Sequence, residues 1–308
     1  MPLDGYNELY AEADARKGRV SAAAAGGADK TVLEALRAAC DRGWVKPIVA
    51  GPVREIKRIA RESRIDLEDF QLIDAVDDEA SAIAATAEVK LGRADLLMKG
   101  LVSTPSLMEA VLDPERGLRS GRSICQVVLI ELEDPVRRFL MADTGIMVKP
   151  AFAHKTAILR AAIEVAWALG ERIPKVAMMA ATEKVSATMP ETIEAAEIVR
   201  RSATGEFGAC KVQGPLSFDL ALAADAGEKK RIGGEVIGAA DVLIFPNLVS
   251  ANLTVKAIMY TAPCRFGGVL RGTTKPVVFM SRSDTTCTRM NSLALALRIA
   301  SRIDGGRS

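Results

Sequence analysis

The chain has 308 residues, 49% hydrophobic and 26% charged, with 41 basic residues against 39 acidic ones and a formal net charge of +2. This is a globular composition with material for two domains of ordinary size. The near balance of charge, the absence of a basic block and an aromatic content of only 4% give no case for nucleic acid or an anionic membrane surface.

Taken in order, a short amphipathic helix is expected over about 4–17, followed by a small-residue strand over 19–25 (RVSAAAA), Gly26-Gly27 and a helix over about 29–41. A strand over 44–50 ends at Gly51-Pro52, and a helix follows to about Ser63. The pattern continues with a strand over 70–73, a helix over 77–91, a strand over 95–98 and a helix over 104–112 with Pro105 in its first turn. Strands alternating with helices across short loops predict a parallel sheet covered on both faces. Two strands, 124–132 and 137–142, meet across Glu133-Asp134-Pro135 and read as a hairpin. The rhythm breaks there, so a second domain is expected from about residue 125.

Alternation then resumes with a helix over 153–169, a strand over 175–181 and a helix over 190–203. Gly214-Pro215 is expected to precede a helix to about Ala226; a strand over 241–245 and a helix over 251–260 follow, and 266–270 is a strand returning to the first domain. Lys275-Pro276 opens a buried strand over 277–280. Six polar residues, 281–286, form a turn into a last helix whose apolar spacing is clear from Leu293 onward. Ser283 or Asp284 is its expected N-cap.

Cys40, Cys125, Cys210, Cys264 and Cys287 are widely spaced and odd in number, which fits reduced thiols and a cytoplasmic location rather than disulfides or zinc. A single histidine, His154, removes His-rich metal sites. No signal-peptide segment and no apolar run long enough to span a bilayer are present. Gly26-Gly27 and Gly51 do not form a dinucleotide fingerprint, and there is no P-loop.

In open α/β sheets ligands bind beyond the carboxyl ends of the strands. The polar residues expected there are Lys99 with Ser103 and Thr104; Asp143 with Thr144; Asn247, with Asn252 and Lys256 on the next helix; and Ser281-Arg282. Arg119 and Arg122 join them from a polar loop. The set is rich in cations and hydroxyls and poor in carboxylates, which suits a phosphate-bearing ligand rather than a metal. A strand-to-helix turn adds unpaired N–H groups and the positive end of the helix dipole.

The segments DLLMKGLVST, GLRSGR, MADTG, MPETIEAA, QGPLSFD, ADVLIFPN with SANLTVKAI, and KPVVFMSRSD, in that order, resemble the phosphate acetyl/butyryltransferase family from about residue 95 to 300. The SRSD…NSLALAL pattern is more similar to its phosphate butyryltransferases. The resemblance implies transfer of a short-chain acyl group between coenzyme A and inorganic phosphate, with coenzyme A as a substrate and no bound cofactor. It implies a homodimer and two α/β domains of the isocitrate/isopropylmalate dehydrogenase-like type around a cleft. Those domains would be 1–125 with 268–308, and 126–267.

Ser281 and Arg282 match the family's Ser-Arg pair. Phosphotransacetylases carry an aspartate seven positions after that serine, where this chain has Thr288; butyryltransferase-like sequences carry one three positions after it, which Asp284 matches. Asp284 could take the proton of the attacking thiol. A non-catalytic ligand-binding or regulatory protein of the same fold, and an NAD-dependent decarboxylating dehydrogenase, are the alternatives.

Overall fold

The computed structural model describes residues 2–16, 18–279 and 281–304. The chain divides into two compact units: residues 6–122 with 267–308, and residues 1–5 with 123–266.

The first unit opens with helix α1 (Tyr6–Ala15), then β1 (Val20–Ala25), α2 (Lys30–Asp41), β2 (Val45–Gly51), α3 (Val53–Ser63), β3 (Gln71–Asp74), α4 (Asp78–Lys90), β4 (Leu96–Lys99) and α5 (Thr104–Leu112). The helix starts follow from side chains that occupy otherwise unpaired N–H groups. Asp29 accepts from Val32 N, Asp77 from Ala80 N and Ser103 from Ser106 N. In β1, Ala22 to Ala25 are fully buried, as a central strand covered on both faces requires.

The second unit begins with a hairpin of β5 (Cys125–Glu133) and β6 (Val136–Ala142), paired antiparallel. It continues through α6 (Phe152–Ala168), β7 (Lys175–Met179), α7 (Pro190–Ser202), β8 (Lys211–Leu216), α8 (Phe218–Leu222), α9 (Ala224–Lys230), β9 (Val242–Ile244) and α10 (Leu248–Thr261). Its strands lie in the order β5-β6-β9-β7-β8, parallel after the hairpin. Phe139, Met141, Leu220, Leu243 and Phe245 belong to its core.

The sequence-based expectation differs here at three places. Gly214-Pro215 lies inside β8 instead of preceding a helix, and the expected helix to Ala226 is two short helices. Proline is tolerated in β8 because that strand is the last of its sheet order. β7 ends at Met179 instead of reaching residue 181. α10 begins three residues before the expected position 251, because Asn247 caps it by accepting from Ser250 N.

The chain then supplies β10 (Cys264–Arg271), β11 (Val277–Val278) and α11 (Thr286–Ile299), which ends in a π-helical turn over Ala300–Asp304. β11 pairs parallel with β4 and antiparallel with β10, so the first unit's strands run β3-β2-β1-β4-β11-β10. The expected strand over 277–280 is shorter than the sequence suggests, and Met280 lies outside the described residues. α11 is buried along its whole length from Thr288 to Ile299. Arg298 on α11 pairs with Glu12 at 2.8 Å, and Tyr10 donates to Asn291 Oδ1 at 2.9 Å, so α1 covers this helix. Each buried Leu or Ile here contributes about 1.5–3 kcal/mol of transfer free energy.

The register places the carboxyl ends of β1, β4 and β11 side by side: Ala25 is opposite Lys99, and Val278 opposite Met98. The loops leaving β1 and β4 touch. A Cβ on Gly100 would lie 2.4 Å from the Gly26 carbonyl oxygen, and Gly26 itself has φ +78°, so both positions require glycine. No helix among the described residues is long and apolar enough to cross a membrane.

Candidate active site

Three loops of the first unit, after β1, β4 and β11, form one edge. The polar turn from Ser281 to Thr285 is shaped by its own side chains. Asp284 is buried, and its Oδ2 accepts the Ser281 backbone N–H at 2.6 Å. Asp284 N in turn donates to the Ser281 carbonyl at 3.3 Å. Ser281 Oγ lies 3.0 Å from Ser283 Oγ. Neither Ser283 nor Asp284 caps the final helix: Thr285 does, accepting from Thr288 N at 3.2 Å. The Asp284 side chain is turned back toward Ser281, which leaves the capping position to the next residue. Ser281 and Arg282 are exposed at the tip of the turn.

Lys99 ends β4, and its side chain is 1% exposed. The ammonium has no hydrogen-bond or ion-pair partner among the described residues. Burial, reinforced by the positive charges of Arg289 and Arg282, pulls its pKa down to about 8, against the pull of Asp284 and Asp78. Arg282 and Asp284 are therefore near enough to Lys99 for their charges to act on it. Beyond β4, Ser103 N donates to Asp78 Oδ2 at 2.7 Å, and Thr104 is exposed at the first position of α5.

Arg289 was not singled out from the sequence. It is fully buried in α11; its Nε donates to Thr31 Oγ1 at 3.0 Å and its Nη1 to the Lys99 carbonyl at 3.2 Å. Thr31 Oγ1 donates onward to the capping carboxylate of Asp29 at 2.6 Å. Burial lowers the pKa of Arg289, opposed by Asp29 and Asp284. The signal for it was an arginine eight positions after Ser281, just before the apolar run that begins at Leu293.

Arg119 and Arg122 are exposed and sit on a separate loop. That loop is stitched to the 272–274 turn by a bridge from Arg119 to Thr273, by Ser120 Oγ donating to the Gly272 carbonyl at 2.6 Å, and by Thr274 N donating to the Leu118 carbonyl at 2.9 Å. They are not among the charges that act most strongly on Lys99.

The remaining expected residues belong to the second unit. Asp143 is buried and accepts four backbone N–H groups: Gln126, Gly145 and Ile146 on Oδ1 and Met147 on Oδ2, at 2.8–3.2 Å. Burial pushes its pKa up while those four donors oppose the shift. It shapes the loop after β6. Asn252 Nδ2 donates to the Thr144 carbonyl at 3.0 Å and ties α10 to that loop. Asn247 is the cap of α10, and Lys256 is exposed one turn beyond Asn252. Cys287 is exposed in the first turn of α11, and His154 is exposed in the first turn of α6.

The edge built by Lys99, Ser281, Arg282 and Arg289 offers cations, a hydroxyl and a helix N-terminus, a donor set for an anion. The family model described as phosphate acetyl/butaryl transferase matches residues 78–297. The chain is 36% identical to a phosphate butyryltransferase of Clostridium acetobutylicum over 97% of its length and 99% of that protein's. It is 35% identical to a phosphate acetyltransferase of Thermotoga maritima, over 94% of this chain and 98% of the relative. A crystal structure of a branched-chain phosphotransacylase from Enterococcus faecalis, 29% identical, superposes with a TM-score of 0.80, covering 92% of this chain and 99% of that one.

Proposed function

The chain belongs to the phosphate acetyl/butaryl transferase family, and from that membership we propose a residue-level reading of a phosphate acyltransferase. The enzyme converts acyl-CoA and inorganic phosphate to an acyl phosphate and coenzyme A, and the reverse. The observation that carries the reading is the exposed Ser281-Arg282 tip, braced by Asp284 beside the Lys99 ammonium, which has no partner among the described residues.

In the direction of acyl-CoA synthesis, the thiol gives its proton to Asp284 and its sulfur attacks the carbonyl carbon of the acyl phosphate. The carbonyl oxygen takes the charge, the bond to the phosphate oxygen breaks and phosphate leaves. In the other direction a phosphate oxygen attacks the thioester, the carbon–sulfur bond breaks and Asp284 returns the proton to the leaving thiolate. Arg282, the Ser281 hydroxyl and the N-terminus of α11 stabilise the oxyanion and the phosphate, each such donor being worth about 2.7–4 kcal/mol.

We assign Lys99, Thr104, Arg119 and Arg122 to binding the anionic groups of the substrates. Asn247, Asn252 and Lys256 bind substrate along α10, and Asp143 contributes by holding its loop. Short acyl chains and an isocitrate/isopropylmalate dehydrogenase-like arrangement of domains, 1–125 with 268–308 and 126–267, complete the reading. A homodimer is supported by an apolar stripe on α10, where Val249, Leu253 and Tyr260 are 61%, 65% and 73% exposed. Five free cysteines support a cytoplasmic location.

The test is release of free thiol from a series of short acyl-CoAs with and without phosphate. Phosphate-dependent release is expected; release that ignores phosphate, or none, contradicts the reading.

A further inference from the structure

Lys99 and Arg289 form an unusual pair. Both side chains are buried, at 1% and 0% exposure, and both are basic. Arg289 spends Nε on Thr31 and Nη1 on the Lys99 carbonyl, and its Nη2 is buried with no partner among the described residues. The Lys99 ammonium likewise has none. A protein that folds on its own hydrogen bonds ordinarily satisfies such groups, because each buried orphan donor costs free energy and a charged one costs more. Two cationic donors without an acceptor among the described residues, on residues linked by the bond from Arg289 Nη1 to the Lys99 main-chain carbonyl at the carboxyl edge of β4 between β1 and β11, indicate a ligand that supplies the missing acceptors.

We infer that Lys99 Nζ and Arg289 Nη2 together form an anion subsite for the phosphate dianion, in addition to Ser281 and Arg282. Arg289 is the permanent charge of the subsite. Its guanidinium is fixed through Thr31 and Asp29 to the start of α2, and through the Lys99 carbonyl to the end of β4. Lys99 is the titratable charge. The groups facing it are Arg289 from α11, Arg282 and Asp284 from the turn before α11, and Asp78 from the start of α4. Because their sum, with burial, places the free enzyme's Lys99 at about 8, the subsite loses one of its two charges as pH rises through that value. An oxyanion in contact with the ammonium raises its pKa again, so anion binding and proton uptake are linked.

The inference rests on the phosphate acyltransferase reading for its ligand but is tested apart from turnover. Sulfate is the probe, since it stays dianionic where phosphate would itself titrate. Its binding to the full chain is measured by calorimetry between about pH 7 and about pH 9.5, with inorganic phosphate as a second probe at the lower pH. Sulfate affinity is expected to fall about tenfold or more across this range, with uptake of a proton on binding near pH 8. In Lys99→Met the affinity at the lower pH is expected to be about tenfold weaker and the pH dependence gone.

Arg289→Lys keeps a charge and retains the pH dependence at weakened affinity, which separates binding from a merely structural role. Wild-type affinity that is flat in pH, or a pH dependence that survives in Lys99→Met, overturns the inference even if phosphorolysis proceeds. Normal sulfate binding with no phosphorolysis overturns the functional reading instead and leaves the subsite standing.

Discussion

The carboxylate of Asp284 accepts the backbone N–H of Ser281 at 2.6 Å, closing the turn that carries the exposed serine and arginine. One buried side chain thus fixes the position of the two groups assigned to charge stabilisation and is itself the assigned proton acceptor. These two duties can be separated. In Asp284→Asn the amide oxygen still accepts from Ser281 N while the basic charge is lost, so kcat is expected to fall about 10²–10⁴-fold with the fold intact. In Asp284→Ala the N–H is orphaned as well, and stability is expected to drop by about 1–3 kcal/mol. Steady-state phosphorolysis and denaturant unfolding of the two variants decide this; equal stability losses in both would show that the hydrogen bond does not brace the turn.

Arg282 is exposed and makes no hydrogen bond or ion pair among the described residues, so its removal should be silent for folding. Arg282→Ala is expected to shift unfolding by less than about 0.5 kcal/mol and to lower kcat/KM by about 10²–10³-fold. A stable variant with unchanged kcat/KM would remove Arg282 from the chemistry.

Lys99 makes stability depend on pH with a definite sign. Its folded pKa of about 8 lies below the ordinary value of 10.5, so between these limits the unfolded chain holds a proton that the folded chain has released. Stability of the ligand-free protein from this group therefore rises as pH increases from about 8 to about 10.5 and is lowest below that window. Lys99→Met is expected to be more stable than the parent at neutral pH by about 1–3 kcal/mol, at the expense of anion binding. Denaturant melts of both proteins across the window would test it, and a parent whose excess instability does not shrink toward high pH would contradict it.

The contact between the loops after β1 and β4 sets the edge on which the site stands. Gly100→Ala drives a methyl against the Gly26 carbonyl, so a loss of about 1–3 kcal/mol is expected, together with weaker phosphate binding. Unfolding and phosphate titration of this variant check both effects; a neutral substitution would mean that the two loops separate freely.

Much of the alternation could be read directly because local chemistry and global fold agree. Asp29, Asp77 and Ser103 stand where unpaired helical N–H groups need acceptors, and α5 occupies the expected residues. β8 escaped because Gly214-Pro215 reads as a break, a rule that an edge strand is free to disobey. The start of α11 was obscured because its first two turns carry Thr286, Thr288, Arg289, Asn291 and Ser292, polar residues that are buried from Thr288 onward, so no apolar helical period marks it before Leu293.

At the site, Lys99, Ser281, Arg282 and Asp284 were visible as polar residues at strand ends. Arg289 was not, since its importance lies in burial and in an orphaned nitrogen, neither of which a sequence displays. Asp143 and Asn247 were visible as residues, but their hydrogen bonds to surrounding N–H groups emerge only from the folded loops.

The most direct test of the central claim is the initial rate of thiol release from butyryl-CoA as a function of phosphate concentration, for the parent and for Arg282→Ala. Saturable, phosphate-dependent release that yields an acyl phosphate, and that collapses in the variant, is the expected result. Thiol release that is independent of phosphate, or equal in the two proteins, would contradict the assignment of this edge to phosphoryl-group binding and acyl transfer.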